Sequence, residues 1–158
     1  MRKIFVEFLL DKMKEDKNTI LLSGDLGYGL FDSIRKLYPE QFYNFGSSEL
    51  TMVTAACGMV LEGKKVYCYS ITPFILWRPF EAIRNYLDKE TIPVKLIGGG
   101  RDKDYGYLGF SHWGDDDLLF MNNFQKIISR KPCDDNTLLS TLEEAHYSDR
   151  AYYINLKK

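Results

Sequence analysis

Glu49, in the stretch Phe45-Gly46-Ser47-Ser48-Glu49-Leu50-Thr51-Met52, is the acid of this chain best placed for chemistry. It follows a short Tyr/Phe-rich run and opens a helix of mostly small residues, Thr51 to Leu61, with little room for an unpaired charge. A carboxylate there is either a solvated charge favoured by a helix N-terminus or a buried acid kept for proton transfer. Gly24-Asp25-Leu26-Gly27-Tyr28-Gly29 is a second candidate. Its order is Gly-x-x-Gly-x-Gly, not the Gly-x-Gly-x-x-Gly of dinucleotide loops, and no Gly-Lys-Ser/Thr follows to cradle a phosphate. A tight strand-to-helix turn explains it as well. His112 lies in Ser111-His112-Trp113-Gly114-Asp115-Asp116-Asp117. One imidazole beside hard carboxylates is a weak metal signal, and the acids equally suit a helix start. Phe74, Trp77, Phe80 and Ile83, three residues apart, read first as the core face of a helix. Cys57 sits mid-helix in an apolar stretch and reads as core.

The elements that must position these residues follow from periodicity. Ile4, Phe5, Phe8, Leu9 and Met13 predict a helix from Lys3 to Asp16. The apolar run Thr19–Ser23 predicts a buried parallel strand. A helix over Phe31–Leu37 and a short strand over Phe42–Phe45 precede the Glu49 helix. Strand Lys65–Tyr69, an irregular Ser70–Pro73, a helix carrying Phe74 to Leu87 and a strand Ile92–Ile97 follow. A long loop, Arg101 to Asp115, leads to a helix over Asp117–Asn122, a strand over Gln125–Ser129, a helix over Asn136–His146 and a last strand, Ala151–Leu156. Alternating strands and helices predict an α/β fold of three layers, a doubly wound, mostly parallel sheet with helices on both faces. Ligands of such folds bind outside the carboxyl ends of the strands. The glycine turn, the Glu49 segment, Ser70–Trp77 and the Gly98–Asp117 loop all fall at that edge.

The 158 residues suit a single domain, 1–158. With 21 basic and 22 acidic side chains the net charge of -1 offers no footprint for nucleic acid. No apolar run reaches the ~20 residues of a membrane span, and Met1-Arg2-Lys3-Ile4-Phe5-Val6-Glu7 lacks the features of a signal peptide. Cys57, Cys68 and Cys133 are widely spaced and odd in number, which points to reduced thiols and a cytoplasmic protein.

The order of the motifs is more specific than any one of them. Phe45 to Met59, with Gly46, Glu49 and Met52 and the following Glu62-Gly63-Lys64, resembles the transketolase-type thiamine diphosphate enzymes. That family has a Gly-x-x-Glu-x-x-Met core opening an Ala/Gly-rich helix that ends at a Gly-Lys turn. Gly24-Asp25-Leu26 resembles its Ala-Asp-Leu turn. Arg78-Pro79-Phe80-Glu81-Ala82-Ile83-Arg84 resembles its Arg-Ala-Phe-Asp-Gln-Ile-Arg helix, and Gly109-Phe110-Ser111-His112 with Asp116-Asp117 its Gly-Pro-Thr-His and Glu-Asp. Tyr152 to Leu156 fits its closing strand. The resemblance covers the pyrimidine-binding module; the Gly-Asp-Gly and downstream Asn of the diphosphate-binding module are not in this sequence.

The resemblance implies one subunit of a split, two-component transketolase that moves a two-carbon ketol unit. A 2-oxo acid decarboxylase or carboligase subunit, and an assembly module without turnover, are the alternatives. Glu49 would hydrogen-bond a ring nitrogen of the cofactor's aminopyrimidine and share a proton with it, for which burial would help. Asp25 and Leu26 would lie beside the cofactor, and Phe74 and Trp77 would stack on its pyrimidine, with Phe80 in the core. His112 matches a histidine near the reacting carbons, suited to proton transfer or to substrate oxygens. Arg101 and Arg2 would contact substrate. Mg2+ and the diphosphate would be held by a partner subunit, in an α2β2 heterotetramer whose centre is a self-associated pair of this chain. Gly29 and Gly100 stand where the family has a Ser and a His, and Leu50 replaces a polar neighbour of the glutamate. Sugar or keto substrates other than the ordinary sugar phosphates are therefore expected.

Overall fold

Strand residues alternate between two apolar clusters, and that alternation organises the chain. In the computed structural model, which describes residues 1–158, β1 (Thr19–Ser23) is buried along its whole length. Its Ile20 and Leu22 face one cluster and Leu21 the other, the period of two that a strand imposes. β1 pairs with β2 (Phe42–Asn44) and β3 (Lys65–Ile71); β3 pairs with β4 (Lys95–Gly99), and β6 (Tyr152–Leu156) lies between β4 and β5 (Ile128–Arg130). The order is β2-β1-β3-β4-β6-β5, and every pair is parallel. On one face pack α1 (Arg2–Glu15), α2 (Asp32–Leu37) and α7 (Asp135–Tyr147). On the other lie α3 (Glu49–Leu61), α4 (Thr72–Trp77), α5 (Phe80–Ala82) and α6 (Asp117–Met121). No helix is long and apolar enough to cross a membrane.

Several boundaries differ from the sequence reading, each for a local reason. α3 begins at Glu49 rather than Thr51, so the acid is part of its first turn. Ser70–Pro73 is not irregular: Ser70 and Ile71 extend β3, and Thr72 and Pro73 open α4, where a proline forfeits no helical hydrogen bond. The expected helix from Phe74 to Leu87 is divided near Pro79; α5 then continues into a π-helical stretch, Ile83–Lys89. β4 starts at Lys95 instead of Ile92, beyond Pro93, and it includes Gly98 and Gly99. Those glycines make room for neighbours: a Cβ on Gly98 would lie 2.8 Å from Thr72 Oγ1, and one on Gly99 2.5 Å from Tyr69 Oη. β5 sits at Ile128–Arg130, a few residues later than Gln125–Ser129. Inside the long loop, Gly106–Leu108 and Phe110–His112 form 3-10 turns.

At the amino end of the sheet, away from these loops, His146 of α7 is buried and stacks on Tyr67. Lys65 Nζ lies 3.4 Å from its Nε2 and can only donate, so the proton of the neutral ring is on Nδ1, 2.9 Å from the Tyr67 hydroxyl. Burial, then the positive charges of Lys65 and Lys12, lower its pKa to about 4. The unfolded chain takes up this proton near pH 6.5, before the folded one does. Stability is therefore complete above pH 6.5 and falls as the pH drops toward 4, by at most about 3 kcal/mol from this group. Urea unfolding of wild type and His146→Gln at pH 7 and pH 4.5 checks this: the variant loses less stability on acidification.

Candidate active site

The parallel pairing of β1 with β3 runs past the strand ends and brings Gly24 against Ser70. Gly24 N–H donates to the Tyr69 carbonyl at 2.9 Å. A Cβ on Gly24 would sit 2.9 Å from Ser70 Oγ and 3.2 Å from Glu49 Oε1, so the glycine leaves the space in which those two side chains meet. Glu49 is 2% exposed. Ser70 Oγ donates to its Oε1 at 2.7 Å, and Arg78 NH1 donates to its Oε2 at 2.6 Å. The sequence left Glu49 between a solvated and a buried carboxylate; it is buried, with both oxygens engaged. Leu26 borders the same space, its Cδ2 3.2 Å from where a Cβ on Gly24 would be. Asp25 is exposed and accepts from the Tyr28 hydroxyl at 2.9 Å.

From Glu49 a row of contacts leads to His112. The Arg78 guanidinium carbon lies 3.9 Å from the centroid of the Phe74 ring. Phe74 meets the His112 imidazole edge-on at 5.0 Å. His112 is half-buried, with Nδ1 3.0 Å from Ser111 Oγ. Phe74, Trp77, Arg78, Phe110 and Trp113 line a concavity beside this row. Trp77 turns its ring onto Phe120, stacked at 4.0 Å, and is 43% exposed. Phe80 meets the edges of the same aromatic group but is itself 41% exposed, rather than fully in the core.

The loop that carries His112 is pinned by a buried polar network at the ends of β4 and β6. Asn155 Nδ2 donates to Thr72 Oγ1 and to Tyr153 Oη, each at 3.0 Å, and Thr72 Oγ1 donates to the Gly100 carbonyl at 2.6 Å. Tyr153 Oη donates to Asp117 Oδ2 at 2.8 Å, and Lys131 Nζ meets Asp117 Oδ1 at 3.1 Å. Burial and the Asp117 carboxylate push the Tyr153 phenol well above its ordinary range, which keeps it a neutral donor. Gly114 N–H closes the loop onto the Asp102 carbonyl at 2.7 Å.

Arg101 and Arg2 lie apart from the Glu49–His112 row. Arg101 turns its guanidinium onto Asn155, with Nε 2.8 Å from Oδ1 and NH2 2.7 Å from the carbonyl oxygen. Arg2 donates to the Tyr105 hydroxyl at 2.7 Å. The Tyr105 ring fills the space where a side chain at Gly100 would go, and it reaches within 6.4 Å of the His112 ring. No group of three or more His, Cys, Asp or Glu side chains is arranged to hold a metal ion. Ser70 and Tyr105 entered the sequence reading only within segments at the carboxyl edge of the sheet, with no role of their own, and Arg78 only as a helix residue. The one available signal was a serine ending the apolar run of β3.

The family model for the transketolase pyrimidine-binding domain matches residues 1–158. The chain belongs to that family. Among relatives of this pyrimidine-binding domain, a "Putative transketolase C-terminal section" of Methanocaldococcus jannaschii is 30% identical over 135 residues, 85% of this chain and 43% of that protein. One subunit of an apulose-4-phosphate transketolase of Phocaeicola vulgatus is 28% identical over 134 residues, 84% of this chain and 43% of that protein. The domain thus spans less than half the length of these curated relatives. Two solved structures share its fold. A "Split gene transketolase, inactive beta4 tetramer" superposes with a TM-score of 0.85 at 24% identity, covering 99% of the domain and 50% of that chain. The transketolase of Campylobacter jejuni superposes with a TM-score of 0.88 at 18% identity, covering 99% of the domain and 25% of that chain.

Proposed function

We propose that this pyrimidine-binding domain serves a two-component thiamine diphosphate-dependent transketolase, which transfers a two-carbon ketol unit from a ketose-type donor to an aldehyde acceptor in the cytoplasm. The observation that carries this reading is the buried Glu49 carboxylate joined through the Arg78 guanidinium to the ring of Phe74. A buried acid, an aromatic ring and the branched Leu26 near the same acid suit a planar aminopyrimidine that needs a hydrogen-bond partner at one ring nitrogen. When bound, thiamine diphosphate supplies the electron sink for breaking and making the carbon–carbon bond next to a carbonyl.

The residues of this chain do the rest. Glu49 holds a proton at the pyrimidine nitrogen, with Ser70 fixing its other oxygen. Phe74 and Leu26 orient the ring, and Asp25 lies at the rim of the same turn. Trp77 screens the ring from water. His112 holds or moves a proton at a substrate oxygen, and Arg101 and Arg2 contact substrate from the Tyr105 side. Mg2+ and the diphosphate belong to a partner subunit in an α2β2 assembly. The relative named as one subunit of an apulose-4-phosphate transketolase supports both the split arrangement and a sugar phosphate substrate.

Assembly with a subunit that carries Gly-Asp-Gly and a downstream Asn, followed by product analysis, tests this. Hydroxypyruvate or a ketose phosphate is consumed with transfer to an aldehyde, and pyruvate is left intact. Decarboxylation of pyruvate without ketol transfer would move the assignment to a decarboxylase. An assembled complex that binds no thiamine diphosphate would remove the cofactor from the account.

A further inference from the structure

Arg78 makes the two contacts that an aminopyrimidine would need at this site. Its planar guanidinium sits over Phe74, the central carbon 3.9 Å from the ring centroid, and presents an N–H to Glu49 Oε2 at 2.6 Å. We propose that Arg78 is a placeholder: it occupies the pyrimidine seat while the cofactor is absent and rotates out when the cofactor binds. This rests on the thiamine diphosphate reading above and adds a residue that sets cofactor affinity.

Glu49 is 2% exposed, so a carboxylate left there without a donor on Oε2 would be desolvated and unpaired. A chain that must fold before its cofactor arrives needs an internal donor at that oxygen. The Arg78 side chain is 42% exposed, against 2% for Glu49, so the guanidinium can swing into water at small cost while the acid stays in place. Arginine suits the role because its fork is planar and stacks on an aromatic ring as well as donating; a lysine would pair with the acid but leave the Phe74 face open. Phe74 offers that ring face to one flat group at a time, so stacking by guanidinium and by pyrimidine compete. Apparent cofactor affinity is then lowered by the fraction of molecules in which Arg78 holds the seat.

The test is calorimetric titration of the assembled two-subunit protein with thiamine diphosphate and Mg2+, for wild type, Arg78→Met and Arg78→Lys. Arg78→Met tightens the apparent Kd about three- to tenfold, and Arg78→Lys tightens it less. In the cofactor-free protein Arg78→Met lowers the unfolding midpoint, and that loss disappears once thiamine diphosphate is bound. Arg78→Met binding that is unchanged or weaker than wild type overturns the placeholder role, because the guanidinium would then stay and help hold the cofactor. Absence of binding by wild type and variants alike overturns the thiamine diphosphate reading, and this inference with it.

Discussion

Glu49→Gln in the assembled enzyme leaves the fold intact and lowers turnover by about 10²–10⁴-fold, the range that a positioned acid–base group contributes. The amide keeps the shape of the side chain and can still accept from Ser70, 2.7 Å away. Removing the charge relieves a nearly fully buried carboxylate, and the partly exposed Arg78 finds water instead, so stability changes by no more than about 1 kcal/mol. Activity and stability thus separate. Steady-state turnover, exchange of the cofactor C2 proton followed by NMR, and urea unfolding measure the two sides. Exchange at the wild-type rate in Glu49→Gln would remove Glu49 from the chemistry and leave it as a charge that orders the α3 terminus.

Asp117→Ala has the largest expected effect on stability, a loss of about 2–4 kcal/mol. Asp117 is 1% exposed and takes bonds from Tyr153, Lys131 and the Leu118 amide. Truncation leaves a buried phenol without its acceptor and a half-buried ammonium with only the exposed Asp102. Asp117→Asn keeps an acceptor for Tyr153 and costs less. Because the network continues through Asn155 and Thr72 to the Gly100 carbonyl, Asp117→Ala also speeds hydrogen exchange in the Arg101–Asp116 loop. A denaturation midpoint shift worth less than about 1 kcal/mol would show that the loop is held by other contacts.

The layers of the fold were readable because the central strands are short apolar runs bounded by turn residues, as Thr19–Ser23 is. The boundaries were not, and particular contacts explain why. Gly98 and Gly99 look like the end of a strand, yet they continue one because Thr72 and Tyr69 need the space above them. Ser70 and Pro73 look like a loop, yet one lies within a strand and the other in the first turn of a helix. The position of Glu49 was legible through the order of the motifs around it. Its partners were not, since Ser70 and Arg78 reach it only through the packing of α3 on β3 and the fold of α4. Arg101 and Arg2 could be named from the resemblance, but nothing in it states that one guanidinium binds Asn155 and the other Tyr105.

Glu49 leaves the ribosome 21 residues ahead of Ser70 and 29 ahead of Arg78. During that interval its charge has neither of the donors that will hold it, and α3 cannot dock on the sheet without desolvating an unpaired carboxylate. A nascent chain released or stalled before residue 78 therefore carries an α3 whose first turn stays in water, while β1 exposes apolar faces that α3 would cover. The acid that equips the site for chemistry also delays closure of that side of the sheet until the residues that partner it have been synthesised.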